Sequence, residues 1–478
     1  MAENKPEILQ RKVGLLETVA MITGLVVGAG IFVLVPTTVG MTGPSVFLAF
    51  LIACLPSLFV VLYEIQLTGT LPVTGANYVT VTRVLSPFWG GIISFSAVLA
   101  ILSANILVSV GFSQYVIAFI QSFDPSFAMD GKILAIAIMV LFAAINYFGV
   151  TLASWIQLVL FLAFVIGMII FGITGIANFN PVNMTPLFPK GPIMFVVVIV
   201  LASYVWSGLV ALADIGGEVK NPRRNLPLAL IISFLIILVL YTIQPLALVS
   251  TMNWEEAAKI GSPAIMVDAG KLLPGWGIYI IFIAAMGAIL TTVNALTWSV
   301  SRDLLAWARD GMLPKAVAHL SKFKTPDLAI LFVIIVEVLG VMIAATIDKY
   351  ALASVLATCL IQVILAWCVL NIPKKLPDLY KKSLFKFNSF WRWFIYIGAV
   401  ITSGFILLAG ILLDMMDDKG DPTRFPWVVL IFVCSLALGT IWYVSRRAYL
   451  KGKGIDLDAN LRKVTDATLA EAEEKLSL

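Results

Sequence analysis

Long apolar runs recur along the whole chain, and two of them are cut by glycine: Val26-Val27-Gly28-Ala29-Gly30-Ile31-Phe32 near the start, and Ser203-Tyr204-Val205-Trp206-Ser207-Gly208 near the middle. Roughly 20 mainly apolar residues span a bilayer as a helix, and twelve such stretches joined by short polar links take up most of the 478 residues. Inside hydrocarbon a helix is broken only where protein or a wet cavity covers the freed backbone groups. The two interruptions therefore point to a cavity, and paired breaks in corresponding places of two halves point to a binding site near the bilayer midplane.

Composition agrees with this reading. Hydrophobic residues make up 60% and charged residues 12%, against about 25% charged in soluble domains, so little chain remains for a folded soluble enzyme. The polar start, Met1 to Lys12, runs into a long helix without a small-residue cleavage signature, and the first span is read as retained. The net charge of +5 does not imply nucleic acid, because 25 of the 32 Lys and Arg fall on one side if the first span starts in the cytoplasm. That positive-inside bias places both termini in the cytoplasm of a multi-pass cell-membrane protein. Cys54, Cys359, Cys368 and Cys434 lie in spans without metal-ligand spacing and read as small buried hydrophobes.

The expected order is a cytoplasmic tail (1–13), five helices (14–176), and a second set of five with its leading external loop (177–371). A basic cytoplasmic linker (372–390), two further helices (391–445) and a cytoplasmic tail (446–478) follow. The link Gly69 to Pro87 reads as a short helix against the bundle, Met252 to Pro274 as one or two short external helices, and Leu461 to Leu476 as an amphipathic helix.

No phosphate-binding loop is present, and Gly24, Gly28 and Gly30 sit inside an apolar helix instead of after a strand, so no nucleotide cofactor is expected. The breaks offer different chemistry. Freed amides at Gly28 to Gly30 favour a carboxylate, and freed carbonyls near Tyr204 to Ser207 favour an ammonium group, which together suit a zwitterion. The same glycines are equally suited to close helix packing. Trp206 and Tyr204 could close over a ligand or fill the core. A polar stripe, Ser96, Ser103, Asn105 and Ser109 in the third span with Thr291, Asn294, Trp298 and Ser301 in the eighth, could line a path or join helices. Acids within spans are functional by default; they are Glu64, Glu337 and Asp214, the last a candidate inner gate or proton-sensitive contact with Arg302 or Asp303. Nothing charged stands beside the breaks, which favours a neutral or modestly polar guest.

Four landmarks resemble the amino acid permeases of the amino acid, polyamine and organocation transporter superfamily. They are Gly28-Ala29-Gly30-Ile31-Phe32, then Leu71 to Tyr78, then Gly217 to Pro227, and finally Ser301-Arg302-Asp303 with Ala308 to Pro314, in the family's order. The resemblance implies an all-α fold of twelve transmembrane helices, the first ten forming two inverted five-helix repeats, that carries an amino acid by alternating access. It further implies that the amides of Gly28, Ala29 and Gly30 hold the substrate carboxylate and the carbonyls of Val26, Tyr204 and Ser207 its amino group, with Trp206 and Gly208 beside them. A proton or an exchanged amino acid would be the coupling partner. The sequence departs from the family pattern at Ala29, Gln66 and Val210, and at Phe164, where some relatives carry a lysine. An amine or polyamine carrier on the same scaffold is the alternative.

Overall fold

Proline and glycine set where the apolar runs bend. The structure is a computed structural model describing residues 11–28, 30–211, 216–273, 275–343, 346–416 and 424–462. Ala29 and Asp214, both singled out above, lie outside the described residues, as does nearly all of the stretch after Leu461. Helix α1 (Leu15–Val26) ends at the first glycine break. A π-helical turn over Gly30–Leu34 then leads into α2 (Val35–Thr42), with Pro36 in its first turn. Gly43, at φ +75°, turns the chain into α3 (Val46–Ile52), and a bend at Ala53-Cys54 precedes α4 (Leu55–Thr70). The linker after it contains the expected short helix, α5 (Ala76–Val84), entered through Gly75 at φ +64°.

Three long helices follow: α6 (Pro87–Gln121), α7 (Gly131–Tyr147) and α8 (Val150–Ala177). The second interrupted run forms α9 (Gly191–Trp206) and the short α10 (Gly208–Ala211). Helix α11 (Pro222–Thr251) is followed by two short helices outside the spans, α12 (Trp254–Ile260) and α13 (Ala264–Leu272). The rest comprises α14 (Gly277–Arg309), α15 (Asp327–Ile343), α16 (Ile347–Lys375), α17 (Pro377–Lys382), α18 (Ser389–Met415), α19 (Trp427–Lys451) and α20 (Leu457–Arg462).

Among the described residues, nine helical stretches are long and apolar enough to cross a membrane. The first of these, Leu15–Thr70, holds the glycine break and the Gly43 turn, so it is not one straight rod. Helix α1 packs against α8, α11 and α14, while α16 lies between α6 and α18. The outward faces stay apolar: Ile166, Leu339, Leu408 and Ile441 are all exposed. Large exposed apolar surfaces fit a lipid solvent, and polar side chains such as Asn105, Asn294 and Glu337 are turned inward.

Candidate functional site

The break after α1 is a tight turn. Val27 has φ −86° and ψ 82°, and the Gly28 amide donates to the Val26 carbonyl at 3.1 Å, the geometry of an inverse γ-turn. The break in the second run is milder. The Ser207 amide donates to the Tyr204 carbonyl at 3.0 Å and the Val210 amide to the Ser207 carbonyl at 3.3 Å, three-residue bonds that tighten the chain.

The two breaks lie side by side. A Cβ on Gly208 would stand 2.6 Å from the Leu25 carbonyl oxygen, and one on Gly28 would run into the Thr292 hydroxyl. Glycine is thus required by packing at both places. The Tyr241 hydroxyl of α11 joins them, lying 2.5 Å from the Val26 carbonyl oxygen and 3.1 Å from that of Val205. Ser57 of α4 donates to the Trp206 carbonyl at 3.4 Å. The carbonyls assigned to an ammonium group already accept hydrogen bonds within the protein: Val26 from Gly28 and Tyr241, Tyr204 from the Ser207 amide and hydroxyl, and Ser207 from Val210. With two lone pairs on each oxygen, an ammonium group would displace a donor at Val26 and Tyr204.

A cleft of about 550 Å³, counting its part open to solvent, reaches the second break at Ser207 and Gly208. Its walls are mostly small and aliphatic, including Ala97, Ala100, Ile101, Ala104 and Leu296, with Asp303 as the charged side chain among them. Its far end is formed by Asn77 and Tyr78 of α5 with Trp307 of α14. Helix α5 is firmly held there, because Arg83 grips Asp310 through two contacts at 2.5 and 2.8 Å, and Asn77 donates to the Val210 carbonyl at 2.7 Å. Tyr204 reaches across to the Ala104 carbonyl at 3.4 Å, next to the cleft wall.

Trp206 does not line this cleft. It is 1% exposed, donates to the Phe50 carbonyl at 3.3 Å and meets Tyr241 edge-on, with ring centroids 5.1 Å apart. In this conformation the ring is wedged between α3 and α11, the core placement that the sequence left open beside closure over a guest. The Gly28 and Gly30 positions also lie outside the cleft lining, against Thr292 and Val205.

The polar stripe of α14 joins helices. Asn294 donates to Gln157 of α8 at 2.8 Å and accepts from Asn146 of α7 at 2.9 Å, and Thr292 donates to the Gly24 carbonyl at 2.5 Å. Lower on α14, Arg302 pairs with Glu218 at 3.0 Å, and Trp298 donates to the other Glu218 oxygen at 2.5 Å. Arg302 and Glu218 are both almost fully buried. The backbone beside Glu218 also holds the start of the chain: the Lys12 and Val13 amides donate to the Glu218 carbonyl, and Lys220 donates back to Val13 at 2.8 Å. Glu218, Tyr241 and Gln157 were not singled out from sequence. Glu218 could have been found as the acid within an otherwise basic loop, whereas nothing marked the other two.

A membrane-embedded helical bundle with interrupted helices meeting beside an internal cleft defines the class: a multi-pass helical transporter. The chain belongs to the amino acid permease family, whose model, described as amino acid permease, matches residues 13–373. It is a family of transporters and not of enzymes. The branched-chain amino acid permease BcaP of Bacillus subtilis is 25% identical over 389 residues, covering 78% of this chain and 83% of that protein. The methylthioribose transporter of Bacillus subtilis is 27% identical, covering 68% and 73% respectively. The b(0,+)-type amino acid transporter 1 of Mus musculus is 26% identical, covering 71% and 72%.

Proposed function

We propose that this protein is a secondary carrier of a neutral aliphatic amino acid across the cell membrane, working by alternating access. One observation carries the reading: the two interrupted helices are tied together by Tyr241 beside a cleft whose walls are small and aliphatic. The amides after α1 and the carbonyls at the end of α9 would take the two charges of a zwitterion. This assigns the amides of Gly28, Ala29 and Gly30 to the carboxylate pole and the carbonyls of Val26, Tyr204 and Ser207 to the ammonium pole, with Gly208 beside them and Trp206 buttressing the turn from behind. Counting Leu15–Thr70 as two crossings, and α7 and α15 as one each, gives twelve spans, the first ten in two inverted repeats. The domain limits set out from sequence, with both termini cytoplasmic, follow from that arrangement. Arg302 and Asp303 then fall at the inner end, where Arg302 and Glu218 seal the bundle, and Asp214 remains a proposed gate residue with them.

Purified protein in liposomes loaded with unlabelled leucine should take up labelled leucine, isoleucine or alanine by exchange. No uptake of any neutral amino acid would overturn the reading. Asp303 in the cleft wall favours a second one, an amine carrier on the same scaffold. Labelled putrescine entering in place of leucine, with entry lost in Asp303→Asn, would select it.

A further inference from the structure

Glu337 sits in the middle of α15, 1% exposed, on the face that α15 turns toward the bundle. The opposite face is apolar and exposed at Leu331, Ile335, Leu339 and Met342. One carboxyl oxygen accepts from Asn105 of α6 at 2.7 Å, and Asn105 also donates to Thr297 of α14 at 3.2 Å. The other carboxyl oxygen, the Asn105 carbonyl oxygen and the Ser109 hydroxyl, one turn further along α6, are all buried without a hydrogen-bond partner among the described residues. Three orphaned polar atoms on the acid, its donor and the next turn of the donor's helix are unusual, because buried polar groups are normally bonded.

Among the described residues no cation pairs with this carboxyl. Helix α15 packs on α6, α7, α14 and the 3-10 turn Lys315–Ala318, whose Lys315 is exposed, and its Gly340 carbonyl accepts from Tyr350 of α16 at 3.0 Å. Tyr115 is the titratable residue of α6, and it is bonded to the Phe32 carbonyl. On α7, Lys132 and Tyr147 stand at the two ends. On α14, Tyr279 and Arg309 lie near the ends, while Arg302 and Asp303 lie five and six residues beyond Thr297, with Arg302 turned to Glu218. On α15 itself, Asp327 is at the first residue, about 15 Å away along a helix rising 1.5 Å per residue. An ionised carboxylate with one neutral donor, in an apolar membrane interior, is strongly disfavoured.

We propose that Glu337, with Asn105 and Ser109, is a proton-binding site that holds one proton as a neutral carboxylic acid and exchanges it during transport. Adding the proton turns the unpartnered carboxyl oxygen into a donor, for which the free Asn105 carbonyl oxygen and the free Ser109 hydroxyl, both on the helix that α15 packs against, are candidate acceptors. Release breaks the O–H bond, leaves the carboxylate and hands the proton to water. The cleft would serve as the route to solvent, since Asn105 and Thr297 directly follow Ala104 and Leu296, which line it. Helices α6 and α14 thus connect the proton site to the solute site, and the coupling part of the inference rests on the carrier reading above.

The test has two arms. In the first, infrared difference spectra of wild type against Glu337→Gln at neutral pH, in H2O and D2O, should show a protonated-carboxyl carbonyl band that shifts on deuteration and is absent from the variant. Asn105→Ala, which keeps the acid and removes its donor, should shift the same band. A carboxylate signature in its place, or a band that ignores Asn105, overturns the proposal whether or not the protein carries amino acids. In the second arm, liposomes with an inward gradient of one pH unit should accumulate labelled leucine about tenfold if one proton moves with each solute. Glu337→Gln should lose that accumulation while keeping leucine exchange at equal pH within about twofold, given that one unit of pH is one decade of driving force. Wild type that exchanges leucine but ignores the gradient, or a variant that still follows it, overturns the coupling. Wild type that shows the infrared band yet exchanges no amino acid upholds the proton site and removes only the carrier reading.

Discussion

Tyr241 and Val26 are 215 positions apart in sequence, yet the tyrosine hydroxyl lies 2.5 Å from the valine carbonyl, at the point where α1 stops. The same hydroxyl is 3.1 Å from the Val205 carbonyl in the last turn of α9. One proton can serve only one acceptor at a time, so this hydroxyl is shared between the two breaks. A shared donor can change allegiance when the helices shift.

Tyr241→Phe keeps the ring against Trp206 and removes only this link. The expected cost is about 0.5–1.5 kcal/mol, the net worth of one hydrogen bond, because the Gly28 amide still donates to the Val26 carbonyl. Exchange should slow more than binding weakens, because the lost bond ties two moving parts. Thermal unfolding together with exchange rates checks this, and unchanged rates would separate Tyr241 from the transport cycle.

Gly208→Ala meets a backbone atom, the Leu25 carbonyl oxygen at 2.6 Å, which no rotamer change can move aside. Overpacking of this kind costs about 1–3 kcal/mol, and the two breaks should be pushed apart. Gly404→Ala in α18, where an added Cβ meets nothing within 4 Å, is the control. It should be neutral or raise stability by up to about 1 kcal/mol through helix propensity. Equal stability in both variants would remove close packing as the reason for glycine at 208.

How much of this was legible in the sequence differs by feature. The break after α1 was readable because two glycines close together weaken a helix inside an apolar run, although the same pair also suits close packing, and the linker helix α5 because Gly75 and a polar stretch interrupt the hydrophobicity. The bend before α4 was missed although Pro56 signalled it. Tyr241, Gln157 and the Arg302–Glu218 pairing were not readable, since a polar side chain in an apolar helix does not reveal which distant helix it will meet. Which way Trp206 turns was not readable for the same reason. An aromatic ring suits a ligand and a core equally well, and the neighbours that decide, Phe50, Phe234 and Tyr241, come from other helices.

The buried pair Glu218–Arg302 should behave as a unit. Arg302→Met leaves Glu218 buried with only the Trp298 indole as partner, and breaking a buried pair in this way costs about 3–5 kcal/mol. Adding Glu218→Gln should recover most of that loss. A double-mutant cycle on thermal or denaturant unfolding measures the coupling, and additive effects would show that the pair contributes little to the inner end.

Asp268 of α13 gives the segment outside the spans a pH dependence. Burial pushes its carboxyl from 3.8 up to about 6, against the Thr251 hydrogen bond and the nearby Lys271 charge, which pull it down, while Glu256 pushes it further up. The folded segment therefore holds a proton that the unfolded one has released between those values. Its stability is greatest below about 4, falls as pH rises toward 6 and stays at the lower level above. Limited proteolysis across α12 and α13 should be slower at pH 4.5 than at pH 7, and Asp268→Asn should flatten the difference. Protection that increases with pH would contradict the sign.

Trp206 and Tyr204 are two residues apart, yet the structure gives them opposite surroundings. Trp206 is enclosed by Phe50, Phe234 and Tyr241, whereas Tyr204 reaches the Ala104 carbonyl beside the cleft. Trp206→Ala should act as a core deletion, costing about 3–5 kcal/mol, while each folded molecule binds solute nearly as well as wild type. Trp206→Phe should recover most of the stability, losing mainly the indole hydrogen bond. Tyr204→Ala should do the reverse, with a smaller stability loss and weaker binding per folded molecule, because the side chain bridging α9 to the cleft wall is gone. Measuring affinity and thermal stability on the same four preparations, wild type included, separates the roles. A Trp206→Ala protein of near-normal stability that fails to bind would return the tryptophan to the site and require a second conformation in which its ring turns toward the solute.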